Sequence, residues 1–296
     1  MTEREFTPGG ELAFAGVAGQ AALIRSGALS ARELTETTLR RIERLDSTLN
    51  AFVRVLADEA LDEATRLDQR QADGKTLGPL HGVPIAIKDE NDVAGTPTTY
   101  GGAAATRIAS ADSEVVRRLR EAGAVIVGKT TMPEFGIWPF TETAANGYTR
   151  NPWDTGISTG GSSGGSASAV ASGMVAAAIG GDGGGSIRLP SAFCGLFGLK
   201  PQRGRVSTAP NRNLWRGLGT LGPLTRSVED SALVYDAITG TTETDDYTAE
   251  TLRTSFADAA VSHPGRFASR CPPGVRSGAS ARQRRSLPRC SRSQRC

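Results

Sequence analysis

Two stretches of the chain combine the residue types that acyl and phosphoryl chemistry most often need. They are Gly160-Gly161-Ser162-Ser163-Gly164-Gly165-Ser166 and Gly180-Gly181-Asp182-Gly183-Gly184-Gly185-Ser186-Ile187-Arg188. Glycine lets backbone N–H groups surround an anion or a developing oxyanion. Serine in such a loop can act as a nucleophile once a base takes its proton. Chemistry is therefore expected between residues 160 and 190, and the question is what activates the serine.

Histidine is a poor candidate for that base. The pattern G-x-S-x-G occurs at both Ser162 and Ser163, but this motif needs a downstream imidazole. The chain has two histidines, His81 ahead of the loop and His263 in a terminal segment of unusual composition. Phosphate binding is equally poorly supported. No lysine follows the second glycine as a P-loop requires, and no G-x-G-x-x-G opens a helix after a strand.

Lysine remains. There are four, Lys75, Lys88, Lys129 and Lys200, and every other basic side chain is arginine. Desolvation lowers the pKa of an amine and can make neutral lysine a usable base near pH 7. Lys88 closes the apolar run Val83-Pro84-Ile85-Ala86-Ile87, Lys129 closes Val125-Ile126-Val127-Gly128, and Lys200 fits less well. On residue chemistry alone all three stay open.

The elements that must position these groups read as α/β. Ser30-Ala31-Arg32-Glu33 is a capping box, and Leu34, Leu39, Ile42, Leu45 and Leu49 follow at near-helical spacing. A second helix is predicted over Asp58–Arg70. Strands are predicted at 83–87 and 125–129, with a helix between them started by Asp112 or Ser113 and closed by Gly123. Strand, helix, strand is a βαβ unit, and functional groups in such folds gather beyond the carboxyl ends of strands. Thr141–Ser163 reads as loop, Ser166–Ser172 as a short helix, Met174–Ile179 as a buried strand and Val228–Ile238 as a helix.

At 296 residues, with 22% charged and 38% hydrophobic side chains, the composition suits one large α/β domain. The start lacks a basic-then-apolar leader pattern and no run of about 18 apolar residues occurs, so a cytoplasmic location without membrane contact is expected. The net charge of +3 misleads, because residues 262–296 hold nine arginines and no Asp, Glu or Lys. Without those nine, 25 basic residues face 31 acids over residues 1–261, a balance of −6. Three of the four cysteines, Cys271, Cys290 and Cys296, share that segment, which leaves Cys194 alone in the body and no disulfide or zinc framework. The segment has too little apolar surface to offset its ordering entropy. It reads as a disordered extension or a shifted reading frame, and no nucleic-acid partner is expected despite its charge.

Taken together, Pro84-Ile85-Ala86-Ile87-Lys88-Asp89, the two glycine loops, Ala192-Phe193-Cys194-Gly195-Leu196-Phe197-Gly198-Leu199-Lys200-Pro201 and Gly222-Pro223-Leu224-Thr225-Arg226-Ser227 resemble the amidase signature family. The resemblance runs from about Leu77 to Ala237. It implies a mixed β-sheet flanked by helices, an amidase domain over 1–261 that is incomplete at its C-terminal end, and a tail over 262–296. It implies a catalytic triad of Ser186 as nucleophile, Ser162 as bridging serine and Lys88 as base, with a cis peptide bond entering Ser162. It places the oxyanion-hole N–H groups at Gly183, Gly184 and Gly185 beside Ser186, and gives Ser163, Asp182 and Arg188 supporting roles.

Cys194, among Phe193, Leu196 and Phe197, reads as an inert buried thiol. Met132, Phe135, Trp138 and Phe140 fit an acyl pocket or plain core. The implied reaction is hydrolysis of a small carboxamide through a serine acyl-enzyme, with no metal or organic cofactor; homo-oligomerisation is left open. Two other readings stand beside it. One is a catalytically impaired, truncated remnant. The other is the glutamine-amidohydrolysing transamidation subunit, which commonly carries Gln where this chain has Leu189.

Overall fold

The computed structural model describes residues 12–103 and 107–262. Of the terminal segment only Ser262 is among them, so the reading of 262–296 lies outside the described residues, as does His263.

Helices α1 (Gly16–Arg25) and α2 (Ala31–Leu49) come first. The capping box at the start of α2 forms as expected. Glu33 N–H donates to Ser30 Oγ at 3.1 Å and Ser30 N–H donates to Glu33 Oε2 at 2.9 Å. Strand β1 (Phe52–Val55), helix α3 (Ala57–Ala72), strand β2 (Pro84–Lys88), helix α4 (Glu114–Glu121) and strand β3 (Val125–Thr130) follow.

Residues 141–163 hold two small hairpins instead of a plain loop. These are β4 (Glu142–Thr143) with β5 (Gly147–Tyr148), and β6 (Arg150–Asn151) with β7 (Asp154–Ser158). Three of these four strands have two residues, too short to show alternation, and the five-residue β7 is exposed throughout without an apolar face, so the sequence pattern hides them. An Asx turn, Trp153 N–H donating to Asn151 Oδ1 at 3.0 Å, closes the second hairpin.

Next come α5 (Gly164–Ala171), β8 (Ala177–Asp182), α6 (Arg188–Cys194), β9 (Phe197–Gly198), β10 (Thr220–Thr225), α7 (Val228–Ile238) and α8 (Phe256–Val261). Six strands form one mixed sheet in the order β1-β3-β2-β8-β10-β9. The β3-β2-β8 centre is parallel, and β1, β10 and β9 pair antiparallel. Pro223 sits inside β10, where its missing N–H argues against a strand. It is tolerated because β9 reaches only Leu224 and Thr225, so β10 has no partner on that side at Pro223.

Strand β8 starts three residues later than the apolar run suggests and takes in Gly180 and Gly181. Those glycines are required by their neighbours. A Cβ on Gly180 would meet Ser163 Oγ at 2.7 Å, and one on Gly181 would collide with the Glu90 carboxylate.

Side chains alternate across the sheet. Ile85, Ile87, Ile126 and Ile179 face one cluster with Val115, Val116, Leu119, Val234 and Tyr235. Ala86, Val125, Val127 and Ala178 face the other, with Leu34, Ile42, Ala60, Leu67 and Val170. Lys88, two residues after Ala86, therefore projects to the α2–α3–α5 face, where the first glycine loop enters α5. Lys129 does not. A register shift in the β2–β3 pair brings Ile87 beside Lys129 and Lys88 beside Thr130, which turns Lys129 to the opposite face.

Candidate active site

Lys88 is fully buried, and its Nζ donates to Ser162 Oγ at 2.8 Å. Burial pushes its pKa down, while the charges of Glu90 and Asp182 push it up; the balance lies below the usual lysine range. Ser162 follows a cis peptide bond from Gly161. Its backbone is held by close packing, since a Cβ on Gly161 would meet the Phe140 backbone at 2.6 Å.

Ser186 stands on the turn after β8. Lys88, Ser162 and Ser186 line one small cavity together with Glu90, Gly181, Asp182, Gly183, Leu214, Trp215 and Gly219. The Ser163 N–H ties the two glycine loops together by donating to the Ser186 carbonyl at 3.2 Å, and Ser163 Oγ donates to the Gly181 carbonyl at 3.4 Å. Among the described residues no hydrogen bond joins the Ser162 and Ser186 hydroxyls. The first link of the expected proton route is thus closed, and the second exists as shared cavity wall.

Asp182 organises the turn that carries Ser186. It accepts from the Gly185 N–H at 2.7 Å and the Ile187 N–H at 3.3 Å, and takes a two-pronged contact from Arg188 at 2.9 and 3.0 Å. Its own burial raises the carboxyl pKa, but Arg188, the Gly185 N–H and Lys200 outweigh that and hold it at about 2. Lys200 braces the same turn by donating to the carbonyls of Asp182, Gly183 and Leu218 at 2.6, 3.0 and 2.7 Å. Its ammonium group is committed to those acceptors and is not placed as a base.

One expectation needs correcting at this point. The Gly185 N–H is spent on Asp182, so it is not offered to a substrate oxygen. The N–H groups of Gly183, Gly184 and Ser186 make no hydrogen bond among the described residues and are the donors that remain.

Because the Asp182 pKa is depressed in the fold, its contribution to stability is present above its ordinary value of 3.8 and is lost as pH falls through about 2. In an acid titration followed by circular dichroism, Asp182→Asn is expected to lower stability at pH 6 and to flatten the loss between pH 4 and pH 2.

Other singled-out residues fall elsewhere. The Cys194 thiol is buried and pushed up to about 12 by desolvation, which leaves it unreactive. Lys129 is held by Asp89 at 2.7 Å and by the Pro97 carbonyl and Thr98 hydroxyl at 2.8 and 2.9 Å. His81 is buried and does not line the cavity shared by Lys88, Ser162 and Ser186. Met132 is buried and Phe135 is exposed, while Trp138 and Phe140 stack and, with Glu134, Glu142 and Tyr148, line a separate cavity of about 540 Å³.

The Amidase family model matches residues 33–267. The chain belongs to the amidase signature family. A protein named "Putative amidase AmiB2" from Mycobacterium tuberculosis is 51% identical over 257 residues, covering 87% of this chain and 54% of that protein. A glutamyl-tRNA(Gln) amidotransferase subunit from a Synechococcus strain is 47% identical over 218 residues, covering 73% of the chain and 45% of the relative. The solved peptide amidase of Stenotrophomonas maltophilia superposes with a TM-score of 0.75 at 38% identity, over 83% of this chain and 52% of that one. The chain spans about half the length of the relatives it matches. Among the described residues no helix is long and apolar enough to cross a membrane.

Against the family motifs, two cavity residues stand out that motif reading does not pick. Trp215 lies over Gly183, where a Cβ would meet its indole at 3.0 Å. Glycine at 183 is what lets the ring approach. Glu90 follows Lys88 by two positions, and its burial is not signalled by its type. The sequence hint is the charged run Lys88-Asp89-Glu90-Asn91-Asp92, whose members are all buried.

Proposed function

We propose that this chain hydrolyses a carboxamide to a carboxylate and ammonia or an amine through an acyl-enzyme on Ser186. The observation that carries the reading is the buried Lys88 Nζ, 2.8 Å from Ser162 Oγ, with Ser186 on the same cavity wall. Neutral Lys88 accepts the Ser162 proton as Ser162 accepts that of Ser186. The Ser186 oxygen bonds to the amide carbon, and the N–H groups of Gly183, Gly184 and Ser186 receive the oxyanion; each such donor is typically worth about 3–4 kcal/mol of barrier. The proton held on Lys88 returns through Ser162 to the leaving nitrogen as the C–N bond breaks. Water, deprotonated along the same route, then opens the ester and restores Ser186.

A second reading rests on the 47% identity to an amidotransferase component, with glutamine as the amide. Leu189 weighs against it. This side chain packs at the Gly185 position, where a Cβ would sit 3.0 Å from it, and offers no polar group to a glutamine substrate.

Ammonia release from a panel of aliphatic, aryl and amino-acid primary amides, with glutamine included, tests both readings. Release from a simple amide that disappears in Ser186→Ala supports the first, and release from glutamine alone supports the second. No release from any amide by a folded chain would sink both.

A further inference from the structure

Glu90 is more than nine-tenths buried, yet its Oε1 has no well-aligned hydrogen-bond donor among the described residues. A buried acceptor without a partner is uncommon in native proteins and calls for a reason. The side chain is aimed into the catalytic cavity, where Oε1 lies 3.3 Å from Lys88 Nζ as an ion-pair contact. Room for it comes from Gly181, where any Cβ would collide with that carboxylate. A glycine in the middle of a sheet is thus matched to an acid whose ion-pair partner among the described residues is the lysine.

We propose that Glu90 is the counter-ion of Lys88, a positioning residue that holds Nζ against Ser162 and compensates the positive charge formed when Lys88 takes the serine proton. This inference rests on the reading of Lys88 as base. The proton moves from Ser162 Oγ to Lys88 Nζ, giving an ammonium beside the Glu90 carboxylate, and returns to the leaving nitrogen. Glu90 itself gains and loses nothing. The groups around Lys88 are few. On its own loop Asp89 is engaged by Lys129, which leaves β3 from the opposite face. From β8, Asp182 acts at longer range and is bound to Arg188. From the first glycine loop Ser162 presents a hydroxyl. Glu90 is therefore the carboxylate that sets the balance between amine and ammonium, and it raises the lysine's proton affinity against the burial that lowers it.

With only four lysines in the chain, biosynthetic labelling at the lysine ε-carbon allows Lys88 to be titrated directly by NMR, its signal being the one absent from Lys88→Met. Glu90→Gln is expected to make the Lys88 ammonium about tenfold more acidic, a downward shift of about one pH unit in its midpoint. Glu90→Asp, which keeps the charge one methylene further back, is expected to fall between Glu90→Gln and wild type. A neutral space-filling role would leave the midpoint in place in both variants. A midpoint moved by less than about 0.3 unit in a folded variant, or a Lys88 signal that titrates identically in all three proteins, would overturn the counter-ion role. Should Glu90→Gln not fold, the Glu90→Asp comparison decides alone. The readout needs no turnover, so a chain that releases no ammonia still reports on Glu90, and an unshifted Lys88 leaves the hydrolase reading intact.

Discussion

Lys88→Met is expected to slow the reaction of Ser186 with a fluorophosphonate by about 10³-fold at pH 8, within the range general-base removal usually shows. Methionine matches the length of the lysine stem and keeps the packing beneath the first glycine loop. Near-ultraviolet circular dichroism should therefore be unchanged. The pH dependence follows from the direction of the lysine's shift. Lys88 must be neutral to accept a proton, and burial holds its pKa below the ordinary 10.5. The wild-type rate should rise with pH through that depressed value and level off above it, whereas the residual Lys88→Met rate should lack that step. Equal labelling rates in the two proteins would remove Lys88 from the reaction.

The largest stability effect is expected at Asp89. Its carboxylate pairs with Lys129 at 2.7 Å and accepts from the Thr99 N–H at 3.1 Å and from the Thr99 hydroxyl. Both side chains of the ion pair are buried. Truncating one partner strands the other charge, and such a change typically costs about 3–5 kcal/mol. For Asp89→Ala this corresponds to a fall of about 10 °C in thermal midpoint for a domain of this size. The double variant Asp89→Ala/Lys129→Met removes both charges and should recover most of the loss, because the stranded ammonium is gone. A double variant no more stable than Asp89→Ala alone would show that the pair is not what holds the segment after β2. That segment carries Glu90, so the structural pair at Asp89 and the proposed catalytic pair at Lys88 share one loop but serve opposite faces of the sheet.

These two pairs also mark where sequence reading succeeds and where it stops. Lys88 is readable because an apolar strand ending in a charge has a predictable address in an α/β fold, and the Ser30 box, α3, α4 and α7 follow from caps and periodicity. Lys129 has the same address by pattern. What separates them is a register shift between β2 and β3, which depends on strand pairing and leaves no trace in composition. The glycines of β8 read as loop because their reason for being glycine lies 17 and 91 residues away in sequence, at Ser163 for Gly180 and at Glu90 for Gly181. The donor role of Gly185 fails for a similar cause. Its N–H is within reach of Asp182, three residues before it, and only the folded turn decides which acceptor it meets. Trp215 and Glu90 enter the cavity from outside the glycine loops, so no local spacing announces them.

The claim on which the rest depends is that the alcohol activated by Lys88 through Ser162 is that of Ser186. Tandem mass spectrometry of the chain after fluorophosphonate treatment tests it directly, since fragmentation distinguishes Ser162, Ser163 and Ser186. A single adduct on Ser186, formed far more slowly after Ser162→Ala or Lys88→Met, is the expected result. An adduct on Ser162 or Ser163 in the wild-type chain, or labelling of Ser186 at an undiminished rate without Lys88, would contradict the proposed proton route.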